Sequence, residues 1–153
     1  MVGKRAKEEA FDRNHPENRP FVKFLDKYGK DTDIIRIGFV PEEELPGVYN
    51  LATVYCQPSF YEGFGLPVLQ AMACGIPVVC AKTQALVEIA KGASLFADPK
   101  DPKDISKKVH QALTDKELRS QLVETGKVLV KNYSWGKTAK ATVKVYRKVM
   151  AGK

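Results

Sequence analysis

The sequence predicts an α/β fold in which helices cover both faces of a parallel sheet. Short β-branched runs alternate along the chain with segments whose apolar residues recur at helical spacing. Glycine and proline separate these segments, and residues 53–80 are ordered as strand, glycine-rich loop, helix and strand. This alternation favours parallel strands joined by crossover helices, and ligands bind to such sheets at the carboxyl ends of the strands.

Three elements are predicted before that unit. Four apolar residues on one helical face, followed by Gly29, predict a helix over residues 21–28. Residues 34–40 form an apolar, β-branched run that predicts a strand. Pro41 and the three glutamates after it suit a helix N-terminus, so a short helix is predicted to run from there towards Leu51.

The central unit contains two predicted strands, over residues 53–56 and 77–80, joined by a helix. Pro67 suits the first turn of that helix, where its missing N–H costs nothing. Gly75 suits the position just past the end of the helix. Apolar residues at helical spacing predict a stripe that faces the core: Leu66, Leu69, Met72 and Ala73.

The last part of the chain predicts one more strand, over residues 94–97, and four helices. The first of these helices covers residues 84–90, and the last is predicted over residues 134–150 with Ser134 as its N-cap. Between them, one helix carries apolar residues on a single face: Ile105, Val109 and Leu113. Thr114 and Asp115 can cap the helix that follows, in which three apolar residues line up: Leu118, Leu122 and Val123.

Size and composition predict one domain over residues 1–153. The chain is 44% hydrophobic and 28% charged, and its length is enough to bury one core. No run reaches the length of a membrane-spanning helix, and residues 1–10 are too charged for a signal peptide. We therefore expect a cytoplasmic protein, and peripheral contact with a membrane stays open.

The cysteines and histidines predict neither a disulfide nor a metal site. Cys56, Cys74 and Cys80 lie in apolar strand or helix contexts without the spacing of metal ligands. We expect buried thiols in a reducing compartment. His15 and His110 are isolated in the sequence, so no metal cofactor is expected.

The net charge of +7 permits anionic partners, which include phosphate-bearing ligands, acidic membrane surfaces and nucleic acid. Much of this charge comes from lysines near the C-terminus that are spaced as the solvent faces of helices. A solvated helix face is therefore the favoured interpretation. No aromatic residues alternate with these lysines, so we expect no nucleic-acid partner.

The glycine-rich loop predicts an anion site. Gly63 and Gly65 flank Phe64 and offer unusual dihedral angles and close backbone approach. The N–H groups that follow, at the helix N-terminus, suit a phosphate. Glu62 precedes them and can accept hydrogen bonds from sugar hydroxyls, and Gln70 lies eight residues further on. A tight strand–helix turn with one solvated acid is an equal alternative on spacing alone.

The residues of this unit carry a family resemblance. The stretch PSFYEGFGLPVLQAMACGIPVV closely resembles the donor-site signature of retaining GT-B glycosyltransferases. The upstream stretch IIRIGFVPEEELPGVYNLATVYCQPS resembles the same family. So do two downstream stretches, AKTQALVEIAKGASLFADPKDPKDISKKVHQAL and NYSWGKTAKATVKVYRKVM. The resemblance covers residues 34–150.

This resemblance implies a Rossmann-like fold, the C-terminal half of GT-B, and a role as the nucleotide-sugar-binding half of a retaining, metal-independent glycosyltransferase. Such an enzyme transfers a hexose from a nucleotide diphosphate sugar to a glycan, a lipid or another acceptor. By resemblance, Glu62 holds the donor sugar as the catalytic residue and Gln70 holds the ribose. Backbone near Phe39 and Val40 meets the base, and four amides face the sugar and diphosphate: Gly63, Phe64, Gly65 and Leu66.

Two departures from the family qualify these expectations. The family pattern has a second glutamate where this chain has Gln70, which lacks the charge and the second acceptor oxygen. The chain also matches only the second of two domains. We therefore expect a fragment that lacks the N-terminal acceptor domain, a basic pair that grips the diphosphate, and the first strand or strands of the sheet. Alone it should be inactive.

Two other functions stay open. A sugar-nucleotide epimerase shares the GT-B fold but lacks this run of motifs. A non-catalytic nucleotide-binding, sugar-binding or assembly module derived from such an enzyme is the stronger alternative, because the missing domain and Gln70 both weaken catalysis.

Overall fold

The computed structural model describes residues 12–152, apart from the side chain of Glu17. The chain divides into two compact units, Met1–Leu45 and Pro46–Lys153, and each is described by itself. The expectation of a single domain over residues 1–153 stays a prediction.

The first unit contains a 3₁₀ turn, Pro16–Asn18, and helix α1, Arg19–Tyr28. The predicted helix over residues 21–28 is confirmed, and it begins two residues earlier because a proline in its first turn needs no hydrogen-bond partner. Leu25 is the buried residue of α1. The ring of Phe24 stacks on that of Phe21, with centroids 6.0 Å apart, and is tilted relative to that of Tyr28, with centroids 5.7 Å apart.

The strand predicted over residues 34–40 is wrong for the described part of the chain. Only Gly38 in this segment has a bridge partner, and the residues around it are irregular. Gly38 has a φ of +85°, in the left-handed region, which interrupts an extended run. A strand needs continuous pairing with a neighbouring strand, and the apolar pattern of the segment does not show whether such a neighbour is present.

The second unit is built on a parallel sheet of three strands in the order β1 (Tyr55–Gln57), β2 (Val78–Ala81) and β3 (Ser94–Ala97). Helix α2, Leu45–Asn50, precedes the sheet and begins after a turn, four residues later than its predicted N-terminus. Crossovers through α3 (Leu66–Ala73) and α4 (Gln84–Ala90) confirm the predicted strand–helix–strand order. All four residues of β2 are at most 1% exposed, so this central strand is covered on both of its faces.

Three longer helices complete this unit: α5 (Pro102–Thr114), α6 (Lys116–Val130) and α7 (Trp135–Ala151). Asp115 caps α6 by accepting from the amide of Leu118 at 2.9 Å, and Ser134 caps α7 as predicted. On α5, Leu113 is exposed and Ala112 is fully buried, so the predicted apolar face is rotated by one residue. No described helix is both long and apolar enough to cross a membrane.

The core of the second unit surrounds α3. The predicted stripe is correct for Leu69 and Met72 and wrong for Leu66 and Ala73, which are exposed. Two other residues of α3, Val68 and Ala71, are fully buried instead. Helix α3 packs against β1, β2, α4 and α6 together, so its buried sector is wider than one stripe and turned towards these neighbours.

The cysteines are free thiols in three different environments. Cys80 is buried, and burial raises its pKa to about 11. Cys74 is half-buried, whereas Cys56 is exposed, so the expectation of a buried thiol is wrong there. Within the described residues β1 is an edge strand, and its middle residue points away from the covered face.

Candidate functional site

The candidate site is the loop between β1 and α3, at the carboxyl end of the sheet. Gly65 ends this loop with a φ of +100°. A Cβ on Gly65 would lie 2.5 Å from Cδ2 of Leu86 and 2.9 Å from Cδ1 of Ile89, both buried residues of α4. Only glycine therefore lets α3 begin so close to α4.

Gly63 differs from Gly65, and the prediction of an unusual dihedral angle is wrong for it. Its φ is not positive, and a Cβ on it would meet open space. Neither strain nor crowding within the protein requires glycine here. Its effect is to leave the loop backbone uncovered, so that another molecule can approach it closely.

The backbone amides of this loop make no hydrogen bond to the described residues, and three of them belong to exposed residues, whereas Gly65 is buried. Among the described residues, no protein acceptor bonds the amides of Gly63, Phe64, Gly65 and Leu66, and the first amide with a partner is that of Val68, 3.0 Å from the oxygen of Gly65. These amides adjoin the N-terminus of an eight-residue helix that has no side-chain cap. The arrangement offers several donors and a partial positive charge to an anion.

The ring of Phe64 holds the loop against the segment between α6 and α7. Its centroid lies 6.0 Å from that of Tyr133 in an edge-on arrangement. Phe64 is still 45% exposed, so one side of its ring faces solvent. The loop is therefore anchored at Phe64 as well as at Gly65.

Glu62 is half-buried and is held by a chain of hydrogen bonds from β1. Its Oε1 accepts a hydrogen bond from Nε2 of Gln57 at 2.5 Å. The Oε1 of Gln57 in turn accepts from the hydroxyl of Tyr55 at 2.7 Å. Burial raises the pKa of Tyr55 well above its usual value, with smaller contributions from Tyr49 and Glu62, so this phenol stays a donor at neutral pH.

Gln70 lies on α3 and is half-buried. The hydroxyl of Tyr49 shares its one proton between Oε1 of Gln70, at 3.2 Å, and the carbonyl oxygen of Pro67, at 3.3 Å. The ring of Tyr49 meets that of Tyr55 edge-on, with centroids 5.6 Å apart. The two tyrosines, whose rings are in contact, thus hold the two polar side chains. Tyr55 holds Glu62 through Gln57, and Tyr49 holds Gln70 directly.

A second loop, after β2, ends at the same edge of the sheet. Gln57 and Cys80 are register partners, so the carboxyl ends of β1 and β2 are adjacent. Thr83 follows β2 at the N-cap position of α4. Among the described residues, its Oγ1 is a buried polar atom without a hydrogen-bond partner. This places a polar group on the edge that was predicted to bind ligands.

Six of the predicted site residues thus lie on one continuous stretch: Glu62, Gly63, Phe64, Gly65, Leu66 and Gln70. Phe39 and Val40 belong to the first unit, where Phe39 is exposed and Val40 is buried, and their role stays a prediction. Sequence reasoning missed Tyr49, Tyr55 and Gln57. The available signal was a glutamine at the carboxyl end of an otherwise apolar strand.

Comparison with known proteins identifies the family. Residues 1–129 match the family model described as glycosyl transferases group 1. The chain is 42% identical over 111 residues to the O-antigen chain mannosyltransferase B of Escherichia coli, which covers 72% of this chain and 29% of that protein. It therefore spans less than a third of the length of this curated relative.

Solved structures support the same assignment. The sucrose-phosphate synthase of Thermosynechococcus elongatus superposes with a TM-score of 0.79 at 26% identity, over 90% of this chain and 35% of that one. Anabaena Alr3699/HepE, solved in complex with UDP and glucose, superposes with a TM-score of 0.78 at 16% identity, over 96% of this chain and 39% of that one. The chain thus belongs to the glycosyl transferases group 1 family and has the Rossmann-like fold of the C-terminal half of a GT-B glycosyltransferase.

Proposed function

We propose that this chain is the nucleotide-sugar-binding half of a retaining, metal-independent glycosyltransferase that moves a hexose from a nucleotide diphosphate sugar to a glycan, lipid or other acceptor. The observation that carries the proposal is the row of amides at residues 63–66 that have no partner in the described part of the chain, next to a carboxylate held by Gln57. An N-terminal domain that holds the acceptor belongs to the proposal, since the chain spans only part of its relatives.

The loop suits the departure of a diphosphate. As the bond to the sugar breaks, negative charge develops on the leaving oxygen. Fixed N–H donors and the N-terminal end of α3 stabilise that charge without having to reorganise. These donors take the place of a metal ion in the proposal. The unpartnered Oγ1 of Thr83, at the same edge, is a further polar contact for the ligand.

The remaining contacts with the donor are proposed for Glu62, for Gln70 and for backbone of the first unit. One oxygen of Glu62 is bound to Gln57, which leaves the other oxygen to accept a hydroxyl of the donor sugar. The Oε1 of Gln70 accepts from Tyr49, which leaves its Nε2 to donate to a ribose hydroxyl. Backbone near Phe39 and Val40 is proposed for the base.

The relatives suggest which donors to test first. A relative named as a mannosyltransferase supports a hexose, and a structural neighbour solved with UDP supports a nucleoside diphosphate. A cytoplasmic location, with its reduced thiols, fits the three free cysteines.

A non-catalytic nucleotide- or sugar-binding module is the second candidate. The observation that favours it is Gln70, which stands where the family carries a second carboxylate and which engages a tyrosine of its own fold. Donor binding without turnover in the full-length protein would support this candidate.

Titration with UDP, GDP and ADP tests the site by NMR. We expect chemical-shift changes at Gly63, Gly65 and Gln70, with a Kd on the order of 0.1 to several millimolar because only part of a cleft is present. Glu62→Ala serves as the matched variant and should weaken the binding of nucleotide sugars more than the binding of the free nucleoside diphosphates. Changes confined to the exposed lysines of α5 and α7 would contradict the proposal and indicate nonspecific anion binding.

A further inference from the structure

Gln57 is an unexpected residue for its position. It is the last residue of β1 and is only 8% exposed. Burial of an amide is unfavourable unless its donor and acceptor are both paired, and here both are. Buried strand positions are usually occupied by apolar residues, so an amide at this position calls for an explanation. The carboxylate of Glu62, to which the amide donates, supplies one.

We propose that Gln57 is a positioning residue for Glu62. Its amide binds Oε1 of the carboxylate and thereby holds Glu62 at the edge of the sheet with Oε2 free to accept a hydroxyl of the donor sugar. This inference rests on the proposed function, because it assigns the sugar contact to Glu62. It adds a residue outside the glycine-rich loop to the donor site.

The direction of the hydrogen-bond chain supports this role. Tyr55 carries a protonated phenol that donates to Oε1 of Gln57 at 2.7 Å. The oxygen end of the amide is therefore engaged with Tyr55, and only the nitrogen end remains to face Glu62. A carboxylate accepts from that nitrogen and would repel the oxygen. Tyr55 thus determines which end of the amide meets Glu62.

Glu62 depends on this contact within the described residues. No other hydrogen bond and no ion pair of the described chain reaches its carboxylate. Glu62 belongs to a loop, so its side chain would sample several rotamers without Gln57. When the carboxylate is already in place, the donor sugar binds more tightly, because no binding free energy is lost in ordering the side chain.

The experiment compares a nucleoside diphosphate with its hexose conjugate on four variants and the parent. The variants are Gln57→Leu, Tyr55→Phe, Glu62→Ala and the double variant Gln57→Leu with Glu62→Ala. The measured quantity is the ratio of the two Kd values, which isolates the contribution of the sugar. We expect Gln57→Leu to reduce that contribution about 5- to 10-fold and Tyr55→Phe about 2-fold, with the diphosphate unchanged.

The double variant separates a positioning role from a merely structural one. If Gln57 acts through Glu62, the double variant binds like Glu62→Ala alone, because no side chain is left to position. Equal weakening of the diphosphate and the sugar conjugate by Gln57→Leu would overturn the inference, and so would an unchanged ratio. Tyr55→Phe removes only a hydroxyl, so it keeps the test valid should Gln57→Leu fold poorly.

A readout without ligand separates this inference from the proposed function. The side-chain amide protons of Gln57 should exchange slowly with solvent and shift when Glu62 is changed to Gln. Fast exchange and no shift would overturn the inference even if the donor binds. If no nucleotide or nucleotide sugar binds while the amide behaves as expected, the contact stands and the proposed function is wrong.

Discussion

At the scale of single residues, Gln70 occupies the position at which the family resemblance predicts a second glutamate. Its amide is tied at the oxygen to Tyr49, which is 21 residues away in the sequence. The free nitrogen can donate to a ribose hydroxyl but cannot accept from one, whereas a carboxylate accepts two. A donor contact of this kind is weaker than a charge-assisted one.

We expect Gln70→Glu to tighten donor binding if this position contacts the ribose. The carboxylate adds charge-assisted hydrogen bonds, worth about 1 kcal/mol or up to about tenfold in Kd. Titration of parent and variant with a nucleoside diphosphate and its 2′,3′-dideoxy analogue measures the effect. An equal gain for the dideoxy analogue would show that residue 70 does not meet the ribose hydroxyls. A glutamate at residue 70 can still accept from Tyr49, so Tyr49→Phe serves as the control for this internal hydrogen bond.

At the scale of elements, the junction of loop and α3 is shaped by two glycines with different constraints. Gly65 is confined by a positive φ and by the buried side chains of Leu86 and Ile89. Gly63 is confined by neither. The fold therefore requires glycine at residue 65, whereas the access of a ligand concerns residue 63 of the same short motif. Past the end of α3, Gly75 has a φ of +73°, as predicted for a C-terminal glycine.

This difference predicts opposite outcomes for two matched substitutions. Gly65→Ala should lower the free energy of unfolding by about 2–4 kcal/mol, through left-handed strain and overpacking against α4. Gly63→Ala should change it by less than about 0.5 kcal/mol, as at other open positions. Thermal or urea unfolding followed by circular dichroism measures both. A Gly63 variant as unstable as the Gly65 variant would show that the loop is packed more tightly than the structure has it.

The same pair also bears on ligand access. Gly63→Ala should keep the fold yet weaken binding of a nucleoside diphosphate, because its methyl group occupies the space next to the unpartnered amides. The NMR titration above measures this. Unchanged affinity in a well-folded Gly63→Ala protein would mean that the ligand does not approach the loop at this glycine.

At the scale of the whole molecule, the three-stranded sheet of the second unit carries the candidate loop at its carboxyl edge, and we propose that this edge forms one half of a cleft. The chain covers less than a third of its mannosyltransferase relative. Helix α7 has no buried residue and leaves large apolar side chains exposed, among them Trp135, Tyr146 and Met150. Exposed apolar surface of this kind is typical of faces that meet another domain or molecule.

We expect the 153-residue chain alone to transfer no sugar, because the proposed reaction also needs an acceptor domain and the chain spans less than a third of its mannosyltransferase relative. Incubation with a panel of nucleotide sugars and simple acceptors, followed by mass spectrometry, measures turnover. The Glu62→Ala variant provides the background. Turnover by the parent above that background would contradict the expectation and show that this chain holds a complete site.

Whether a feature could be predicted from the sequence depends on how far apart in the chain its interacting residues lie. The order of strands and helices, the caps at Asp115 and Ser134, and Gly75 at the end of α3 were all predictable, since each depends on neighbours within a few residues. The candidate loop was predictable for the same reason. Its residues are contiguous, and their spacing already places amides before a helix.

The sequence by itself thus determined the α/β order, the glycine-rich loop and the position of Glu62. The tertiary structure decided which side of α3 is buried, that Cys56 is exposed, and that residues 34–40 form no continuous strand. It also decided the partners of the two polar groups. Tyr49 reaches Gln70 only because α2 and α3 are folded together, and Gln57 meets Glu62 only because the loop turns back over β1. Burial and pairing depend on neighbours distant in sequence, which local patterns do not encode.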